Sequence, residues 1–170
     1  MRTSMLIPVL LLVHSTVCGA GEMKIAAPDQ SQLILRATKL ASDGVGNISA
    51  SGKIEAKHGE VEITCQGKAK VYLSNQTFSA LEAEGDVEAT AAHKKIWCKK
   101  LYYEEPRRMI TASGDPRVQE GKTTYRAKQK ILIYTETGVM KFEPAPQITI
   151  DKGLERAQKK SERKSFLGLF

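Results

Sequence analysis

The sequence predicts an all-β fold, and three observations support this prediction. A short motif of alternating apolar residues that ends in glycine occurs three times, at 48–52, 81–85 and 110–114. Apolar residues in these segments recur at every second position, which is the period of a strand with one buried face. Turn-forming residues separate many short segments of this kind, and no long helical pattern precedes residue 150. Together these features predict a sandwich, roll or barrel.

The three copies resemble one another beyond the motif itself. Thirteen residues after each glycine lies a small residue, Cys65, Cys98 or Ala127, and a larger apolar or aromatic residue stands two positions before it. The glycines are 33 and 29 residues apart, a spacing typical of stacked supersecondary units. Because glycine within a strand commonly marks a bulge or bend, we expect a corner at the same place in each copy. The alternative is a loosely repetitive sandwich core.

Ten segments have the pattern of strands. They are 32–37, 46–56, 60–65, 69–73, 77–89, 95–103, 109–118, 123–134, 139–142 and 147–150. The roughly 150 residues that follow the first 20 correspond to one domain, which we place at 31–150.

The first 20 residues have the pattern of a cleavable secretory signal peptide. Arg2 precedes an apolar run at 5–13, and short side chains follow up to Ala20. This run is too short to cross a hydrocarbon core, which takes about 20 residues. We therefore expect export with cleavage after Ala20, and a linker at 21–30. An uncleaved anchor and a lipid attached at Cys18 are the alternatives.

The last 20 residues, 151–170, differ in character from the rest. They contain six Lys or Arg against three Asp or Glu, and they end in the apolar segment 166–170. We expect a solvated basic tail; the alternative is a segment that contacts a membrane or a partner through its apolar end.

Catalytic and metal-binding motifs are not found in the sequence, which predicts neither an enzyme nor a cofactor. His58 and His93 fall in predicted polar turns, where a histidine is expected to be solvated. Cys65 and Cys98 occupy equivalent positions on the predicted inward face, and whether they form a disulfide stays open. The net charge of +7 points to anionic partners. Export argues against nucleic acid and leaves an acidic membrane surface or a phosphorylated lipid.

Several segments together resemble a known family. They are the Ile/Leu-x-Ala-x-Gly motif, the strand at 96–103, the run Ala-Ser-Gly-Asp-Pro-Arg-Val at 112–118, and Tyr125-Arg126-Ala127. Over residues 31–150 the chain is similar to the OstA-like domain of the LptA family, the periplasmic lipopolysaccharide transport proteins of Gram-negative bacteria. The resemblance implies a twisted OstA-like β-jellyroll, open at both ends, with an apolar groove for the acyl chains of lipid A.

The resemblance also implies partners. Its end strands would join an LptC-like inner-membrane domain, the jellyroll of the outer-membrane assembly protein, and further copies of the chain head to tail. We expect Leu33 and Leu35 at one assembly edge, and Ile148 and Ile150 at the other.

The predicted lining of the groove follows the parity of the small repeat residues. It consists of Ile54, Ile63, Val87, Ile96, Cys98, Ile110, Val118 and Ala127. Two other functions remain open: an LptC-like membrane-associated component of the same export system, and a non-catalytic β-repeat structural or adhesion protein. A carrier needs an open, dry interior, whereas a structural sandwich fills it to native density.

Overall fold

The computed structural model describes residues 20–44, 46–144 and 146–150, and it describes 149 and 150 by their backbone alone. The predicted signal peptide and basic tail lie outside the described residues, apart from Ala20 at the end of the signal peptide. The strands of the described part are β1 (Gly21–Ala26), β2 (Gln32–Ser42), β3 (Asn47–His58), β4 (Val61–Ser74), β5 (Thr77–Ala91), β6 (Lys94–Glu104), β7 (Met109–Ser113), β8 (Arg117–Glu120), β9 (Thr123–Arg126), β10 (Lys130–Tyr134), β11 (Met140–Glu143) and β12 (Gln147–Ile150).

All of these strands belong to one antiparallel sheet that divides at β6. Residues 95–97 of β6 pair with β8, while residues 100–104 pair with β7. The first branch continues from β8 through β9 to β12, and the second continues from β7 through β10 to β11. Each of the long strands β2 to β6 therefore contributes one half to each of two layers.

The first layer contains β1, residues 32–37 of β2, 54–58 of β3, 61–66 of β4, 86–91 of β5 and 94–98 of β6, followed by β8, β9 and β12. The second layer contains the other halves of β2 to β6, followed by β7, β10 and β11. His58, at the end of β3 in the first layer, lies 5.2 Å from Phe78 and 5.8 Å from Tyr103 in the second, measured between ring centroids. The two layers thus face each other and enclose a common core.

Three glycines lie side by side where the long strands pass between the layers. Gly52 pairs with Gly67, and Gly67 pairs with Gly85; we call this set the glycine column. A Cβ atom on Gly67 would come within 3.0 Å of the carbonyl oxygen of Glu84, because adjacent backbones approach closely here. Gly85 also has φ +131°, which L side chains rarely adopt. The repeated glycine of the sequence therefore forms the corner between the layers.

The structure differs from the sequence prediction at the ends of the sheet. Residues 21–26, within the predicted linker, form β1, in which Met23 and Ile25 alternate with charged residues. Strand β2 lies between β1 and β3, so Leu33 and Leu35 belong to an interior strand and not to an edge. The edge strands of the described sheet are β1 at one end, and β11 and β12 at the other.

Two predicted strands are each divided in the structure. The segment 109–118 forms β7 and β8, which lie in different layers, and 123–134 forms β9 and β10. The chain changes layer at Gly114, whose φ is +73°. The described residues include no helix of the length and apolarity needed to cross a membrane.

Candidate functional site

The predicted lining residues lie together in the interior. All eight belong to one hydrophobic cluster, with exposed fractions between 0% and 7%. Ile54, Cys65, Val87 and Cys98 form one row across β3 to β6 beside the glycine column. Ile63, Ile96 and Val118 belong to the next row of the first layer, Ile110 lies in the second layer, and Ala127 follows β9. Their common burial agrees with the parity argument, while their contact with lipid stays a prediction.

Small side chains dominate the second layer beside the glycine column. Ala50, Ala69 and Ala83 are direct neighbours across β3, β4 and β5. The larger buried rings, Phe78 and Tyr103, lie at the opposite margin. The predicted lining residues themselves have almost no exposed surface in this conformation.

A polar cluster joins the layers at the margin opposite the glycine column. It consists of Asp29, Ser31, His58, Tyr103 and Arg108, which we call the polar clasp. Asp29 and Ser31 lie in the turn between β1 and β2, and His58 ends β3, all at the margin of the first layer. Tyr103 lies in β6, and Arg108 lies in the turn that follows it, at the margin of the second.

The hydrogen bonds of the clasp form a continuous chain across the two layers. The Ser31 hydroxyl is 2.5 Å from Asp29 Oδ1 and 2.7 Å from His58 Nε2. His58 Nδ1 is 3.0 Å from the Tyr103 hydroxyl. Arg108, at the margin of the second layer, adds a separate link between the layers, because its guanidinium donates to Asp29 Oδ2.

The number of protons on each group determines which member donates in each of these hydrogen bonds. Ser31 has one hydroxyl proton, which it donates to the Asp29 carboxylate, so its oxygen accepts from His58 Nε2–H. His58 Nδ1 is then unprotonated and accepts from Tyr103, whose hydroxyl stays protonated because burial raises its pKa. The histidine donates to the serine instead of taking its proton. This direction is the reverse of the one that activates a serine nucleophile.

Burial and charge agree with this assignment. Burial lowers the pKa of His58, so the ring is neutral at pH 7. Hydrogen bonds from Ser31, and then the bond from Arg108, hold the pKa of the Asp29 carboxyl well below its usual range. Burial raises the pKa of Glu105, which lies 3.5 Å from Arg108. The clasp therefore joins a neutral histidine to an ion pair.

Glu105, beside the polar clasp, forms with two clasp residues a group that could hold a metal ion. One ligand atom each from Asp29, His58 and Glu105 lie within 4.8 Å of one another. The Arg108 guanidinium already supplies a positive charge to both carboxylates, and both ring nitrogens of His58 are hydrogen-bonded. The arrangement suits a salt-bridged contact between layers better than a metal site.

The prediction that His58 is solvated is wrong, since its exposed fraction is 2%. A signal in the sequence could have shown this. His58 continues the every-second-residue pattern of Ile48, Ala50, Ile54 and Ala56, all of which are buried. Because turn-forming residues follow His58 directly, the sequence pattern places it in the turn and not in the strand.

The cysteines are free and buried. Cys65 and Cys98 both pair with Val87, so strand β5 separates them by two strand spacings, about 9.6 Å. This exceeds the Cα separation of about 7 Å that a disulfide tolerates. Burial raises the pKa of Cys98 to about 12, so its thiol behaves as a small apolar group.

The fold has a counterpart among solved structures. It matches LptH from Pseudomonas aeruginosa, described as the LptA-homologous periplasmic component of the conserved lipopolysaccharide transport device, with a TM-score of 0.61. The fold is an LptA-like β-jellyroll. The match covers 70% of this chain and 94% of LptH at 13% sequence identity, so it is a likeness of fold. No family model matches the sequence, and no curated protein matches it.

The match confirms the predicted all-β jellyroll. LptH is described as a component of a transport device, and the expectation that this chain is not an enzyme stays a prediction.

Proposed function

We propose that this protein carries lipopolysaccharide through the periplasm and shields the acyl chains of lipid A between the two layers of its jellyroll. The observation that carries the proposal is an LptA-like β-jellyroll whose layers share one continuous apolar interior. Exposing an acyl chain to water costs about 0.8 kcal/mol for each methylene, so a carrier needs an apolar lining along its whole length. The fold of LptH, a component of a lipopolysaccharide transport device, supports this function.

Lipid entry would require the layers to part. The glycine column is the hinge in this proposal, because it lacks side chains where the long strands change layer. The polar clasp lies at the opposite margin and holds the layers together. Opening at the clasp would expose the alanine-rich surface of Ala50, Ala69 and Ala83, whose small side chains leave room for acyl chains.

The edge strands would connect the carrier to its partners. Strands β1, β11 and β12 each pair on one side only. Ile148 of β12 is 59% exposed, although it continues the row of Ile96, Val118 and Tyr125, of which the first two are buried and Tyr125 is half-buried. Proteins normally protect such edges unless pairing is wanted. Strand addition at these edges would join an LptC-like inner-membrane domain, the jellyroll of the outer-membrane assembly protein, or a second copy head to tail.

Photo-crosslinking tests the carrier function. A photoreactive residue in place of Ile63 or Ile96 should capture lipopolysaccharide in cells, because both side chains face the interior. The matched control places the same residue at Thr64 or Lys95, which are the adjacent exposed positions. Equal capture from inward and outward positions, or no capture from either, would contradict the proposal.

The filled interior favours a second candidate, a β-repeat structural or adhesion protein. Such a protein would keep its layers closed and act through its outer surface. Hydrogen exchange distinguishes the two candidates. A carrier should lose amide protection at Tyr103 and its β6 neighbours when lipopolysaccharide is added, whereas a structural protein should show no change.

A further inference from the structure

Two arginines of the described part of the chain have no ionic partner. That part contains five arginines: Arg36 pairs with Glu22, Arg107 with Glu104, and Arg108 with Asp29. Arg117 and Arg126 pair with no carboxylate of the described residues, and they lie directly opposite each other on strands β8 and β9. We call them the arginine pair.

Both arginines point away from the interior. Val118, the neighbour of Arg117, is fully buried, whereas both arginines are exposed. Side chains directly opposite on antiparallel strands have Cβ atoms about 4.5–5.5 Å apart, and like charges at this distance repel each other. The arrangement is therefore unfavourable until an anion lies between the two guanidinium groups.

Nearby acidic residues do not neutralise the pair. Asp86, and then Asp115, raise the pKa of Lys99, so Asp115, two residues before Arg117, lies close to that lysine. Glu88 is separated from Arg117 by Trp97, which pairs with both residues across the sheet. On its other side, Arg126 is opposite the uncharged Gln147.

Arg117 lines a depression of about 470 Å³ on the outer face of the first layer, and Arg126 lies next to Arg117 on the neighbouring strand β9. Trp97 lies beside Arg117 in its lining and Glu88 lies beside Trp97; the lining also contains Lys99 and the acidic residues Glu55, Asp86 and Asp115. An aromatic ring can pack against the apolar face of a sugar ring, carboxylates accept hydrogen bonds from hydroxyl groups, and arginine binds phosphate with two parallel bonds. This combination matches the chemistry of a sugar phosphate.

We propose that Arg117 and Arg126 bind the phosphate of a phosphorylated sugar headgroup whose ring lies against Trp97, and this inference rests on the proposed lipopolysaccharide carrier function. Strand β12 is the edge next to β9, so Arg126 lies one strand, about 4.8 Å, from the open end of the first layer. A lipid with its chains between the layers can turn its headgroup around that edge. The site would hold the polar end of the lipid outside the apolar interior.

Trp97 provides the assay, because it is the sole tryptophan of the chain. Its fluorescence is titrated with glucosamine 1-phosphate, glucosamine and inorganic phosphate, and then with lipid A before and after enzymatic removal of its phosphates. The variants are R117A/R126A and the control K39A/K68A, which removes two exposed, unpaired lysines from the second layer. Thermal melting checks that each variant is folded.

The expected result is a Trp97 signal with glucosamine 1-phosphate and phosphorylated lipid A that weakens about tenfold in R117A/R126A, because hydrogen bonds to charged groups are worth at least that factor. K39A/K68A should bind as the unchanged protein does. Unchanged affinity in R117A/R126A, or an equal loss in K39A/K68A, would overturn the proposal. Equal, arginine-dependent binding of inorganic phosphate would identify free phosphate as the ligand and overturn the sugar assignment.

Failure of the carrier function has a different signature. In that case the photoreactive residue at position 63 captures no lipid, whatever the Trp97 titration with glucosamine 1-phosphate shows. Capture of lipid A at position 63 with no phosphate dependence at Trp97 would support the carrier and overturn the arginine site.

Discussion

Replacing Tyr103 with Phe removes one hydroxyl from the polar clasp and keeps the ring that packs 5.9 Å from Phe78. His58 Nδ1 then loses its donor at 3.0 Å, and no water can replace it easily because the His58 side chain is only 1% exposed. A change of tautomer does not help, since it leaves an unpaired N–H in place of an unpaired acceptor. An unsatisfied buried polar group costs about 1–3 kcal/mol. The unfolding midpoint should therefore fall by roughly 3–10 °C for a domain of this size.

Thermal and urea unfolding measure this loss, and Y102F is the matched control. Tyr102 is adjacent on β6 and lies on the opposite face, where it is partly exposed. Its replacement should change the free energy of unfolding by less than about 0.5 kcal/mol. If Y103F is as stable as Y102F, and the NMR titration of His58 is unchanged, the hydrogen-bond chain assigned to the clasp is wrong.

Three further predictions follow from the structure and the sequence. The free energy of unfolding should fall as the pH drops from about 7 to 5, because His58 is neutral in the fold with a lowered pKa, while the same histidine in the unfolded chain takes up a proton below about pH 6.5. In H58Q the melting temperature should depend less on pH over this range. An unchanged pH dependence would exclude His58 as its cause. Asp29 adds a further loss of stability that begins below about pH 4, because its pKa is lowered in the fold. The raised pKa of Glu105 has the opposite effect on the free energy of unfolding. G67A should destabilise the protein by about 1–3 kcal/mol in urea unfolding, because its Cβ meets the Glu84 carbonyl; near-native stability would show that the strands can move apart there. The exported protein should begin at Gly21 by intact mass, and a mass that includes residues 1–20 or a lipid at Cys18 would contradict the signal-peptide prediction.

The sequence shows which face of a strand is buried better than it shows which strands or residues lie next to it. Period-two alternation places Ile54, Val87 and Ile110 in the interior correctly, because each side chain must lie on one face or the other of its own strand. The repeated glycine likewise locates the corner, since the close approach of adjacent backbones that excludes a side chain involves only that position. These features depend on a few consecutive residues, so a single sequence is enough to predict them.

The clasp could not be predicted in the same way. Ser31 and His58 are 27 residues apart, and His58 and Tyr103 are 45 residues apart. Their contact depends on how the two layers close on each other, which follows from the corner, the registers of five long strands and the change of layer at Gly114. No local pattern contains that information. Parity alone could have shown that His58 is buried, and a buried histidine requires polar partners.

Which strand forms the edge of the sheet also depends on pairing between distant segments, and it has a direct consequence for assembly. The segment 21–26 is short and carries two charges, so it resembles a linker, although Met23 and Ile25 alternate as in a strand. Pairing with β2 makes it the outer strand, and its Glu22 and Lys24 are charges of the kind that discourage unspecific edge pairing. At the other end, β12 presents Ile148, which is 59% exposed. Pairing of two β12 edges would be a contact between like ends and would close into a dimer, whereas the head-to-tail contact that we propose sets β12 of one copy against β1 of the next and leaves one edge of each kind free for further copies.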